Sequence, residues 1–216
     1  AFVDILMDGD THLLIGDGTN MRYYTSAEKA PKKYQLMIVF EDDSFLAFTV
    51  SMYGSIYAFK GEFDNPYYQG SIHKLCPLDE RFDKAYFISL IRNLKKDISA
   101  KALLATEQRI PGLGNGVCQD ILFNARISPK RKISTLSEED IDSLFNTVKS
   151  TLEEMTCRGG RDTEKDLYGA LGNYRTILSK NTYHAPCPVC GERIQKEAYL
   201  GGSIYYCPHC QPSAVN

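Results

Sequence analysis

Four cysteines near the C-terminus have the types and spacing to do chemistry: Cys187-Pro188-Val189-Cys190 and, sixteen residues later, Cys207-Pro208-His209-Cys210. Two thiolates from each tight turn complete a tetrahedron around a divalent ion, and this separation of paired Cys-x-x-Cys turns matches structural zinc sites. Four thiolates also close the coordination shell. One Zn2+ held by Cys187, Cys190, Cys207 and Cys210 is therefore expected to hold a hairpin together and to activate no water. Ile194, Tyr199, Ile204, Tyr205 and Tyr206 suit its two strands, with Gly201-Gly202 at the bend. Buried thiols, disulfides or an iron site of the same ligand type are the alternatives. A zinc hairpin alone is generic and serves protein, RNA or DNA binding.

A second segment has chemistry of another kind. Lys101-Ala102-Leu103-Leu104 is followed by Pro111-Gly112-Leu113-Gly114-Asn115-Gly116, a glycine-containing turn between two helical stretches. It puts Asn115 at the start of the later helix, where unpaired N–H groups and positive partial charge suit a phosphate. A glycine-rich turn is more often only a turn.

The elements that must position these groups are legible in outline. In the first 60 residues short period-two runs (Phe2–Met7, Leu13–Ile15, Tyr34–Phe40, Phe45–Val50, Ser55–Phe59) alternate with turn-forming clusters such as Asp17-Gly18, predicting an antiparallel sheet region. A loop is expected near residues 64–79. Tyr86, Phe87, Leu90, Ile91 and Leu94 then recur at helical spacing over Phe82 to Lys96, Ser99 can cap a second helix through Leu104, a third begins near Asn115, and Ser137-Glu138-Glu139-Asp140 resembles a capping box opening a fourth through Met155. Helical structure is expected to about residue 176. The fold class is thus α+β, divided into a partial β-sandwich at 1–63, a linker at 64–79, a helical domain at 80–176 and a zinc hairpin at 177–216. Cys76, Cys118 and Cys157 are assigned to ordinary packing, and His184 and His209 to the surface.

Composition narrows the function classes. The 216 residues are 43% hydrophobic and 24% charged, no run approaches the length of a membrane span, and Phe2 to Asp8 carries acids where a secretory signal has a basic start. An intracellular, cytoplasmic monomer without membrane contact is expected. Net charge is only −2, but residues 1–76 hold ten acids against six bases and the remainder 17 against 19. A nucleic-acid site must then be local and built from selected groups.

In this order the motifs resemble the formamidopyrimidine-DNA glycosylase and endonuclease VIII family over nearly the whole chain. Lys101-Ala102-Leu103-Leu104, Pro111 to Asn115 and Asp120 to Lys130 are similar to its helix–two-turns–helix element. Gly159-Gly160, Gly169 to Gly172 and the Pro186–Gln211 cysteine segment follow in family order. The resemblance implies a DNA glycosylase with abasic-site lyase activity acting on damaged bases in double-stranded DNA. It also implies that Lys101 and Asn115 contact phosphates, with Lys196 and Arg22 as further DNA-binding candidates.

The family's chemistry needs an N-terminal proline amine that attacks the sugar, a following glutamate that handles protons, and a lysine on an early strand. Ala1-Phe2-Val3 stands where that lysine is found, so the sequence as it stands contains no catalytic residue and is expected to be inactive alone. Loss of an N-terminal stretch is the expectation, and a catalytically inactive binder of damaged or abasic DNA is the alternative. A zinc-hairpin protein-interaction module is a third reading. Thr19, Ser51 and Tyr53 occupy positions where the family inserts methionine, arginine and phenylalanine beside a flipped nucleotide. Only Tyr53 has a ring to stack, and a core aromatic of the sheet is the alternative for it. Gly202 stands where the family has an arginine, leaving Lys196 as the nearest basic residue.

Overall fold

A computed structural model of the chain describes residues 2–26, 30–51 and 53–213; Ala1 lies outside them. The alternating runs form two three-stranded antiparallel sheets. β1 (Phe2–Met7), β2 (Thr11–Gly16) and β6 (Ile56–Lys60) make one, in the order β1-β2-β6. β3 (Thr19–Tyr24), β5 (Phe45–Val50) and β4 (Leu36–Val39) make the other, in the order β3-β5-β4. Leu13 and Ile15 of β2 meet Phe48 of β5 in one apolar cluster, joined by Met21, Leu36 and Ile56, so the sheets pack face to face as a sandwich. β1 is an edge strand with Val3, Leu6 and Met7 exposed. β3 has no clear signature in the sequence because Thr19, Asn20 and Arg22 dilute its alternation. The Asp17-Gly18 turn, with Gly18 at φ 82°, carries the chain from one sheet to the other and sets Thr19 against Val50.

The expected loop at 64–79 instead contains a helix, α1 (Pro66–His73). No residue of it is buried, so apolar periodicity could not reveal it. Its cap makes it: the Asn65 side chain accepts from the N–H groups of Tyr67 and Tyr68, and Pro66 takes the first helical position. α2 (Lys84–Arg92) is shorter than its apolar pattern. α3 (Ala100–Ala105) is capped by Ser99, and α4 (Asn115–Asn124) follows the glycine turn. α5 (Glu138–Cys157) has the full capping box, with Ser137 and Asp140 bonding each other's backbone N–H. Phe82, Phe87, Leu103, Leu104, Ile121 and Leu144 lie at the centre of this helical core.

The helical region stops at Cys157, short of residue 176. Gly159 and Gly160 take φ 70° and 101°, which reverses the chain. Tyr174 N–H then donates to Gly160 O at 2.9 Å, and a Cβ on Gly172 would lie 2.1 Å from the Gly160 carbonyl. Residues 161–176 are consequently a compact folded-back loop. It reaches the sandwich, where Tyr23 N–H donates to Leu167 O at 2.9 Å and the Tyr23 and Tyr168 rings meet edge to face. The C-terminal hairpin pairs β7 (Gln195–Tyr199) with β8 (Gly202–Tyr206). Its bend is Leu200-Gly201, one residue earlier than expected, with both residues left-handed at φ 50° and 74° as a two-residue turn requires. No helix among the described residues is long and apolar enough to cross a membrane.

Candidate metal centre and nucleic-acid interface

The four terminal cysteines converge. Their sulfurs all lie within 4.8 Å of one another, with Cys187 to Cys210 at 3.8 Å and Cys190 to Cys207 at 3.5 Å. A tetrahedron with bonds of about 2.3 Å has sulfur edges of about 3.8 Å, so this donor set fits a zinc-sized ion. Second contacts hold the ligands in place. Cys187 N–H donates to Glu192 O, and Cys207 N–H donates to the Gln211 side chain, which in turn donates to Ile127 O at 3.0 Å. Burial pushes the Cys210 thiol up to about 12. At Cys187 burial is outweighed by the N–H groups of Cys190 and Val189, which bring it down to about 7. Metal binding requires all four as thiolates and so releases protons. Among the described residues, no histidine joins the cluster, and His184 and His209 are exposed.

The cysteine module is seated on the helical region by α4. Phe123 packs into the module's own core with Leu178, Ile194, Tyr205 and the buried cysteines. From the same helix Gln119 takes both a hydrogen of Tyr205 N–H, at 3.2 Å, and the carbonyl of Ser203, at 3.0 Å. Asp120, fully buried, accepts from the N–H groups of Ile177 and Leu178 at 2.9 and 2.8 Å. Burial pushes its carboxyl up to about 6 despite those bonds.

At the start of α4 the N-cap is Gly114, which makes no side-chain cap bond, so the first-turn N–H groups have no side-chain acceptor there. Asn115 lies in that turn and donates to Ser203 O at 3.1 Å. Arg161 lies across the same turn: a Cβ on Gly116 would lie 2.5 Å from its guanidinium nitrogens, which is why the position is glycine. Glu164 pairs with Arg161 at 2.5 Å. A helix N-terminus, an amide and a nine-tenths buried guanidinium thus meet on one spot, with Glu164 beside them. The groove over this spot, about 270 Å³, shares Thr163 and Glu164 with a second of about 520 Å³ that is walled by Thr19, Asn20 and Arg22 of β3.

The family described as "Formamidopyrimidine-DNA glycosylase H2TH domain" matches residues 75–166. The formamidopyrimidine-DNA glycosylase of Listeria monocytogenes is 30% identical over 199 residues, covering 88% of this chain and 70% of the relative. The chain belongs to the formamidopyrimidine-DNA glycosylase family. A second member, from Pelotomaculum thermopropionicum, is 35% identical over 138 residues, 62% of this chain and 49% of the relative. Two solved structures share the fold. The MutM (Fpg) protein of Thermus thermophilus superposes with a TM-score of 0.83 at 23% identity, over 99% of this chain and 80% of that one. The Lactococcus lactis Fpg, in complex with DNA containing an abasic site, gives 0.80 at 21% identity, over 98% and 79%.

Several residues singled out from the glycosylase resemblance have other partners here. Lys101 is 2% exposed: its ammonium donates to Tyr199 O and lies 5.8 Å from the Tyr199 ring, so it ties α3 to the hairpin bend. Arg22 lines the β3 groove and donates to its neighbour's carbonyl, Met21 O, at 2.8 Å. Lys196 is held over the Tyr183 ring at 5.1 Å, in a groove that shares no lining residue with the Asn115 groove. Gly202 faces Asn115, whose amide nitrogen would be 3.3 Å from an added Cβ. Thr19 and Ser51 spend their hydroxyls on loop carbonyls, Ser55 O and Gly18 O. Tyr53 is no core aromatic of the sheet: it is 83% exposed, on a left-handed backbone at φ 69°. Cys118 is buried, but Cys76 and Cys157 are exposed and not packing residues. Gln119 and Arg161 were missed by sequence spacing because neither belongs to a motif, and Asp120 entered only as the first residue of the helix–two-turns–helix resemblance, with no role assigned. The only available signal for Arg161 is its position after a glycine pair that must end a helix.

Proposed function

We propose that this protein grips the sugar–phosphate chain of double-stranded DNA at a damaged or missing base and serves base-excision repair as a glycosylase with abasic-site lyase activity. The observation that carries the reading is the convergence of Asn115, Arg161 and the α4 N-terminus on one spot beside a four-sulfur hairpin. Here Asn115 and the α4 N–H groups receive a phosphate, while Arg161 supplies charge behind them. The ion held by Cys187, Cys190, Cys207 and Cys210 is zinc, and its role is to keep the hairpin rigid. Membership of the glycosylase family and the complex of the Lactococcus relative with DNA containing an abasic site support the reading. The domain limits that go with it are a sandwich to residue 63, a connector carrying α1 to 79, a gripping unit of α2 to α5 with the folded-back loop to 176, and the hairpin module beyond.

Lyase chemistry of this family proceeds through a Schiff base to an amine, which borohydride reduces to a stable covalent adduct. The protein carrying its native N-terminus is expected to be trapped on abasic-site DNA. Absence of any adduct across abasic and oxidised-base substrates, with binding intact, would leave the second reading, a binder without chemistry. That reading draws on Thr19 and Ser51, whose hydroxyls are bound to the backbone and offer nothing to fill the space of a flipped base. The same feature favours sites already without a base over sites where one must be extruded.

A further inference from the structure

Helix α1 buries no residue of its own, yet it is fastened at both ends, and to different parts of the molecule. On the sandwich side Tyr68 is the anchor. Its ring meets those of Phe2, Phe59 and Phe63 at centroid distances of 5.9, 5.7 and 5.9 Å, and its hydroxyl donates to Asp4 at 2.9 Å. The His12 ring holds the same carboxylate at 3.0 Å, so β1, β2 and β6 all take part in the clasp. On the helical side the fastening falls to the residue that ends α1. Lys74 puts its N–H on Gly70 O and lays its side chain over Gly70, where an added Cβ would lie 3.5 Å from Nζ. Its ammonium donates to Gln108 O at 2.8 Å. Leu75 then packs against the helical core, its N–H donating to the Tyr86 hydroxyl at 3.3 Å.

We propose that Lys74 is a positioning residue which, through α1, ties the sandwich to the turn that presents Asn115. The inference rests on the proposed function, since that turn is the one assigned to a phosphate. The carbonyl taken by Lys74 lies where the backbone most needs holding. Glu107 and Gln108 are consecutive and both left-handed, at φ 56° and 47°, a conformation that a Cβ disfavours. From there to Asn115 the chain is neither helix nor strand, and its own backbone bonds are long: Arg109 N–H to Thr106 O at 3.4 Å and Leu113 N–H to Ile110 O at 3.3 Å. Ile110 and Leu113 are buried and anchor the later part of the turn in the helical core. The earlier part is held from outside, by a charged donor, which makes a stronger hydrogen bond than a neutral one. Because that donor sits on a helix clasped to the sheet, the placing of Asn115 is coupled to the placing of the sandwich across the cleft.

The test compares the metal-loaded parent with Lys74→Met, which keeps the length of the side chain and loses the donor, by two measurements. Amide hydrogen exchange reads the tie without DNA. Exchange at Arg109 and Leu113 is expected to quicken roughly ten-fold, as the loss of one charged hydrogen bond allows, while amides in the middle of α5 keep the parent rates. Affinity for a duplex with a central abasic site reads its use: Lys74→Met should bind roughly ten-fold more weakly, and Lys74→Arg should restore both readouts. Adding Lys74→Met to Asn115→Ala should cost nothing further, because Lys74 acts through Asn115, whereas a lysine that only stabilised the fold would give losses that add. Parent-like exchange in Lys74→Met, or additive losses in the double variant, overturn the positioning role and leave the Asn115 site standing. A parent protein that binds no duplex, with exchange in the turn still quickened by Lys74→Met, overturns the phosphate reading instead.

Discussion

Asn115 and Asp120 lie five positions apart on α4, and their surroundings give them different duties. Asn115 is at the groove, with its amide on the hairpin carbonyl of Ser203. Asn115→Ala is expected to weaken binding about ten-fold, equally for all base contexts, because a phosphate contact reads no sequence; fluorescence anisotropy on duplexes of different flanking sequence checks this. A loss confined to one context would contradict the role. Asp120 is a structural carboxylate in a dry place. With its pKa raised from 3.8 to about 6, the folded protein holds more protons than the unfolded chain between those values. Its contribution to stability is therefore full below 3.8 and falls as pH rises through about 6, by on the order of 3 kcal/mol. In Asp120→Asn that slope should vanish from denaturant midpoints measured across pH 4–7, while absolute stability drops because the amide nitrogen that replaces one carboxylate oxygen cannot accept the N–H it faces. An unchanged slope would assign the titration to another group.

At the scale of elements, local caps decide where helices begin, and the same groups also fasten the helices to one another. Asp140 closes the α5 capping box and also takes the nearly buried guanidinium of Arg131 at 2.6 Å, while Arg131 donates to Thr135 O. Asp140→Ala removes the cap's reciprocal bond and leaves a buried cation unpaired, so the expected cost is about 3 kcal/mol, read by urea denaturation. Ser137→Ala, which removes only the hydroxyl cap, should cost about 1 kcal/mol. Equal costs would show that the ion pair adds nothing. The Ser137 cap, Ser99 cap and glycine turn are visible in sequence because they are short-range chemistry. α1 is also a matter of capping, at Asn65-Pro66, yet it was hidden because its exposed helix has no apolar stripe to draw attention.

For the whole molecule, the Asn115 groove, which shares Thr163 and Glu164 with the groove beside β3, lies between the hairpin and the loop at 161–176. Leu167 O joins it to β3, Arg161 joins it to α4, and Gln119 with Lys101 joins the hairpin to the helices. On the proposed reading, metal and DNA affinity should therefore be coupled. Chelation, or Cys187→Ser, is expected to release the hairpin and with it Ser203 and Tyr199, lowering DNA affinity at least ten-fold while helical circular dichroism from α2 to α5 is largely kept. Unchanged affinity after metal loss would show that the hairpin is dispensable to the grip.

By itself the sequence determined the parts whose cause is local. Cys-x-x-Cys spacing fixes a metal site because a knuckle of four residues must bring its sulfurs together, and Ser137 with Asp140 starts a helix because a side chain reaches a nearby N–H. Tertiary structure alone decided which cations are spent on partners inside the fold. Lys101 and Arg193 look alike in a sequence, but one is buried under a hairpin carbonyl and the other lines an acid-free groove, since partners 98 residues apart are joined only by folding. The same holds for Gly116, which leaves room for the Arg161 guanidinium, for Asp120, which holds the backbone of Ile177 and Leu178, and for the left-handed Tyr53, which the loop turns outward from the sheet.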